Sequence, residues 1–238
     1  MRYPLPVLVL LFICCIARSQ GTDETNPFTL KAELASRYPW RGFPGAKSPH
    51  VLPAFEFSKK GFWTGISGDF SLGDHYYEEI DLYIGYKYKN FSLAVLDYYM
   101  PRNDSLFKGM WVYDDANTNH IFDMVIQVDG PSGFPAYLMF SAILYFESDA
   151  EGTEKKIAPY LEAGYPFHIG ELLLKTFCGA SLADGFYSTG HGIINAGFMA
   201  EAPVKITERF QMPLRLYFIN NFLEQDAYLA VSIVIQAF

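Results

Sequence analysis

Asp184, Ser188 and His191 are the residue types of an acyl-transfer triad: an acid to orient, a nucleophile and a base. They crowd into one polar stretch read as an external loop, where such a trio arises easily without chemistry. HGIINAG also places no serine close after His191 on a strand. Asp115, Asn117 and Asn119 copy the opening of a calcium loop, but His120 stands where the tight turn needs glycine. Ile126 then replaces the bidentate glutamate that should close the cage. No histidine has a second histidine or cysteine at metal-ligand spacing. The sequence therefore predicts no catalytic group, no metal and no cofactor.

The remaining charges follow a different rule, because they alternate with apolar residues. In YYEEIDLYIGYKYKNFSLAVLDYYMP (76–101), Glu79, Asp81, Tyr83 and Lys87 fall on one face, and Ile80, Leu82, Ile84, Tyr86 and Tyr88 on the other. After Lys89-Asn90 the alternation resumes with Phe91, Leu93 and Val95 opposite Ser92 and Ala94. This is a hairpin of two strands about 10 residues long, the span a tilted strand needs to cross a bilayer. Tyrosines and phenylalanine crowd both of its ends, where a ring with a polar tip suits the boundary of lipid and water.

The elements that must hold this hairpin repeat its pattern. Phe28–Arg37, His50–Ser58, Phe62–Ser71 and Thr118–Val128 alternate in the same way, and Lys59-Lys60-Gly61 reads as a tight turn. Ala136–Glu147 is apolar on both faces. Lys156–Gly164 is expected to end at a Tyr165-Pro166 turn, followed by Ile169–Leu182, Gly192–Ala200, an extended turn over 203–211, Pro213–Asn220 and Tyr228–Phe238. Pro39–Pro49, residues 102–116 and Ser148–Glu154 read as loops. Short and longer connections roughly alternate along about 12 strands, the form of bacterial single-chain barrels. An open sheet edge is not tolerated in hydrocarbon, so such a sheet must close, and antiparallel closure requires an even number of strands.

The amino terminus carries Arg2, an apolar run Val7–Ile16 and the small residues Ala17 and Ser19, which predict a signal peptide over residues 1–19. Ile13 before Cys14 is not the small residue a lipidation site carries. Removing Arg2 and Arg18 takes the formal charge from −8 to −10, which argues against nucleic acid as a partner. Of three cysteines only Cys178 remains, so no disulfide framework is expected. Residues 20–238 are then one domain: an all-β, closed antiparallel transmembrane β-barrel of about 12 strands. Aromatic content of 17% against 18% charged residues fits a chain that trades water for lipid.

ASRYPWRG (35–42), EEIDLYIGYKYKNFSLAVLDYYMP (78–101) and the closing stretch from Gly192 to Phe238 resemble the TorF-type porin family of Bacteroidota outer-membrane β-barrel proteins. The match is carried by Arg37, Tyr38, Trp40 and Arg41, by Asp81, Leu82, Tyr83 and Tyr86, by Asp97, Tyr98, Tyr99 and Pro101, and by Pro213. It departs at Asn220-Asn221-Phe222, where the family often has Asn-Pro. The resemblance implies a barrel in the bacterial outer membrane, with the lipid bilayer and the barrel-assembly machinery as partners. Phe238 is the kind of terminal aromatic that machinery recognises, although it is out of phase with Leu229, Val231, Ile233 and Ile235.

The alternation places Lys31, Glu33, Arg37, Glu56, Asp69, Glu79, Asp81, Lys87, Asp123, Glu162, Glu171, Lys175 and Arg215 in the lumen. Acids outnumber bases, so a porin-like channel for small solutes would favour cations weakly. The alternative is a closed barrel with a structural or surface-binding role, because small barrels are filled by their own side chains. A lipid hydrolase at the rim is the third reading.

Overall fold

The computed structural model describes residues 26–44, 47–73, 77–101, 109–113, 118–149, 152–207 and 210–237. The expected leader, Asp115, Asn117 and Phe238 lie outside them. The described strands are β1 (Phe28–Ala35), β2 (Pro39–Trp40), β3 (Phe43–Pro44), β4 (His50–Lys59), β5 (Phe62–Ser71), β6 (Glu78–Tyr88) and β7 (Phe91–Tyr99). They continue with β8 (His120–Asp129), β9 (Tyr137–Asp149), β10 (Gly152–Ile169), β11 (Leu172–Ser181), β12 (Gly192–Thr207), β13 (Phe210–Asn221) and β14 (Asp226–Ala237). All except β2 and β3 form one closed antiparallel barrel of twelve strands, in the ring order β1-β14-β13-β12-β11-β10-β9-β8-β7-β6-β5-β4. Closure is made by β1 on β14, with Leu30 opposite Ala237 and Ala35 opposite Ser232.

Period-two alternation fixes which face is wet. In β6, Asp81 lies opposite Ser67 of β5 and Tyr98 of β7, and all three point inward. Ile84, Leu93, Val95, Met124, Leu138 and Leu229 point outward and stay exposed, Ile84 at 52%. Aromatic rings band the short-turn end of this wall. Phe28 stacks on Phe55 with ring centroids 5.7 Å apart, and Tyr86, Tyr88 and Phe91 are exposed nearby.

Three expected boundaries move, and prolines explain two of them. β10 runs straight through Tyr165-Pro166, because its ladder to β9 ends at Gly164 and Pro166 pairs only with β11. A proline on an unpaired edge forfeits no ladder bond. β12 likewise continues past Ala200 to Thr207, with Pro203 opposite Pro213, beyond the point where either strand keeps a second neighbour. In place of the loop expected at Ser148–Glu154, β9 and β10 pair out to Asp149 and Gly152. Both extensions are two-stranded ribbons that protrude past the ring, one at each end.

Candidate functional site

The segment expected to be a plain loop after β1 folds into the lumen. Trp40 and Phe43 pair across a two-residue turn, Arg41-Gly42, to make the short hairpin β2–β3. Arg41 has φ of 48° and Gly42 of 73°, the left-handed pair that a tight primed turn demands. A β-carbon on Gly42 would run into the carbonyl oxygen of Ile194 in β12, so the turn can approach that wall only as glycine. The Asn221 amide adds a hydrogen bond to the Gly42 carbonyl at 3.2 Å.

Arg41 is the anchor. One guanidinium nitrogen donates to Ser141 Oγ and to Tyr187 Oη, each at 2.7 Å, and another pairs with Asp123 Oδ2 at 2.8 Å. Its Cζ lies over the Trp40 ring at 4.5 Å from the centroid and over the Tyr160 ring at 5.2 Å. Asp123 is fully buried and also accepts from Ser141 Oγ and, at 3.2 Å, from Tyr98 Oη. A buried charge needs this degree of pairing to be tolerated at all. Trp40 packs edge-on to Tyr98 and stacks on Tyr187, with ring centroids 5.7 and 5.9 Å away. Phe186 closes over Trp40 and Phe43 from the segment that joins β11 to β12.

This plug divides the lumen. Toward the long loops lies a small space of about 50 Å³, lined among others by Asp69, Tyr77, Glu79 and Phe186. Toward the short turns lies a cavity of about 380 Å³, lined among others by Glu33, Arg37, Glu162, Lys175, Asn195 and Arg215. Tyr38 and Trp40 line both spaces, and so form the partition between them. Burial first, then the negative charge of Asp81 and Glu79, holds the Tyr38 phenol well above its ordinary range, so it stays neutral.

Of the residues expected in the lumen, all but Glu171 are there, and most are already engaged. His50 Nδ1 meets Asp69 at 2.5 Å, Tyr77 donates to Glu79 at 2.7 Å, and Ser67 donates to Asp81 at 2.8 Å. Tyr83 reaches Glu56 at 3.4 Å, and Lys87 pairs with Asp129 at 2.6 Å near the mouth. Glu162 accepts from Tyr137, Tyr160 and Asn195. Arg215 bridges Glu201 at 2.6 Å and Glu33 at 2.9 Å. Lys31 faces inward opposite Ala54 and Gln236, while Arg37 reaches the lumen from the loop after β1. Glu171 is exposed in the turn between β10 and β11: Gly170, at φ 62°, reverses the chain there and β11 begins only at Leu172.

Sequence reading missed Tyr38, Trp40, Arg41, Tyr160, Tyr187, Asn195 and Glu201 as lumen groups. A two-residue strand has no period to detect, and Arg-Gly between Trp40 and Phe43 was the available turn signal. Ser188 of the expected loop trio donates to the Gly190 carbonyl at 2.8 Å, and Asp184 and His191 are exposed.

A second polar cluster lies outside the ring, near the long-loop end. His120, 2% exposed, holds Asp97 through Nδ1 at 2.7 Å and the Met110 carbonyl through Nε2 at 2.9 Å. Tyr113 stacks on its ring at 4.1 Å and donates to Asp97. Met110 clusters with Ile80 and Tyr99, and Leu82 packs against this cluster, so Leu82 faces outward as expected but is partly covered by the chain itself.

No family model matches the chain, and no curated protein sequence does. Among solved structures it is similar to the translocator domain of the autotransporter NalP from Neisseria meningitidis, at 9% identity and a TM-score of 0.41. That similarity covers 98% of this chain and 95% of that one.

Proposed function

We propose that this chain is an outer-membrane β-barrel of porin-like type whose lumen is shut by its own first loop, and that small solutes pass only when the loop withdraws. The observation that carries the reading is the Arg41–Asp123 lock, which seats Tyr38 and Trp40 as a partition across the lumen. The outer wall supports the membrane half of the proposal. Its mid-wall positions are apolar and exposed on strand after strand, and soluble monomers rarely leave so continuous a surface bare. Inside, the backbone of the plug is satisfied by its own pairing and by Asn221, as non-helical chain at membrane depth must be. The resemblance to TorF-type porins fits a solute path, and the cavity on the short-turn side is the part of that path left open.

Planar-bilayer recording tests this. Wild-type protein should be silent or open only briefly, and Arg41→Gln combined with Asp123→Asn should conduct steadily, because the double change frees the plug without stranding a buried charge. Steady conductance by the wild type would show that the plug does not occlude. Silence of both proteins would leave a permanently closed barrel, the structural reading.

A further inference from the structure

We infer that the space of about 50 Å³ on the long-loop side of the plug is a binding site for a small organic cation, an alkylammonium or quaternary ammonium ion. A space of this size holds a few waters, or a cation of about four or five non-hydrogen atoms.

The walls of this space are mostly aromatic. The plug supplies Tyr38 and Trp40, the barrel supplies Tyr77 and Tyr98, and the segment between β11 and β12 supplies Phe186. Arg41 already lies over Trp40, so the other rings are the ones left to a ligand. In so small a space a cation cannot sit far from them, and its attraction to a ring reaches about 6 Å from the ring centre. Quaternary ammonium ions suit such surroundings because rings replace their weakly held water, as aromatic cages do in general.

The acids are brought together by register. Asp69 of β5 lies directly opposite Glu79 of β6, both point inward, and both line the space. Their β-carbons are therefore about 5 Å apart. Asp81 is the next inward residue along β6. His50 holds Asp69, Tyr77 donates to Glu79 and Ser67 donates to Asp81. Among the described residues no lysine or arginine pairs with any of the three. The lumen's bases Arg37, Lys175 and Arg215 line the chamber on the other side of the plug. The charges that bear most strongly on the Tyr38 and Tyr77 hydroxyls are all carboxylates, Asp69, Glu79 and Asp81 among them. Negative potential and aromatic walls thus meet in one small space, which a hydrated metal ion fits poorly and a neutral molecule leaves uncompensated.

The site rests on the plug only for its floor, and its test does not depend on conduction. Barrel purified in a non-ionic maltoside, which carries no ammonium group of its own, is titrated calorimetrically. The probes are ethylammonium, tetramethylammonium and potassium chlorides at constant ionic strength, and tert-butanol. At least one organic cation should bind tenfold or more tightly than potassium, and tert-butanol should show no binding. Asp69→Asn with Glu79→Gln should weaken the bound cation at least tenfold, and Phe186→Leu several-fold. Unchanged gel mobility of the unboiled variants shows that they are folded. Should the double variant not fold, Glu79→Gln alone, whose amide still accepts from Tyr77, should show a several-fold loss. No organic cation bound by the folded wild type, or binding that survives the carboxylate changes, overturns the site. Potassium bound as tightly as the organic cations overturns the role of the rings, and tert-butanol bound as tightly overturns the role of charge. A barrel that conducts with its plug in place would sink the gating proposal and leave these titrations standing.

Discussion

Arg41 is one side chain tying three parts of the chain together, namely Asp123, Ser141 and Tyr187, so its loss should be felt far beyond its own turn. Arg41→Ala strands a carboxylate with no solvent access, a change that costs about 3–5 kcal/mol in buried pairs. Adding Asp123→Asn should restore most of that, because Ser141 and Tyr98 can still bond a neutral amide. Urea unfolding of the three variants in micelles measures the recovery. An Arg41→Ala protein as stable as wild type would mean that the hydroxyls alone satisfy Asp123. Little of this was legible beforehand. Asp123 could be assigned to the lumen from the alternation of its strand, but its partner sits in a stretch that proline and glycine mark only as irregular. Nothing local in the sequence says that a loop turns inward, because inward and outward loops need the same turn residues.

At the scale of the strand, alternation was a dependable guide wherever one face is charged. β5, β6 and β7 fall close to their expected limits, and their inward acids are the ones the pattern named. It failed where proline broke the pattern without breaking the pairing, since tolerance of Pro166 or Pro203 depends on a neighbouring strand that ends elsewhere in the chain. The two faces of β6 give a sharp contrast. Ile84 is 52% exposed on the outer wall, outside the cluster of Ile80, Tyr99 and Met110 that partly covers Leu82. Ile84→Arg should therefore lower folding stability in lipid vesicles by about 2–4 kcal/mol if the residue sits near the midplane, whereas Tyr83→Arg can extend into the lumen toward Glu56. Equal yields of folded protein for the two would refute the assignment of faces.

For the whole molecule, the even strand number followed from closure and from counting segments, while the ring order shows each barrel strand beside its sequence neighbour. The hydrogen-bonded wall has no edge at which detergent can begin to peel it. Unboiled protein in dodecyl sulfate should consequently migrate apart from boiled protein, and co-migration of the two would argue against a stable closed barrel. What no pattern along the chain could give is the filling of the lumen, which is set by contacts such as Arg41 with Asp123 and Glu33 with Arg215, made between residues distant in sequence.

Counted around the ring, β9 stands six strands from β1 in either direction, and β8 is its neighbour. The hairpin rooted in β1 reaches Ser141 on β9 and Asp123 on β8, so it crosses the full diameter and is fastened on the far side. A thin-walled cylinder yields to sideways load by flattening into an ellipse long before its wall stretches. A tie across the bore opposes that flattening along its own axis. The same hairpin also abuts Ile194 of β12, accepts from Asn221 of β13 and packs on Tyr98 of β7, so the barrel is braced along more than one axis, and lateral pressure would meet a tube stiffened around its bore.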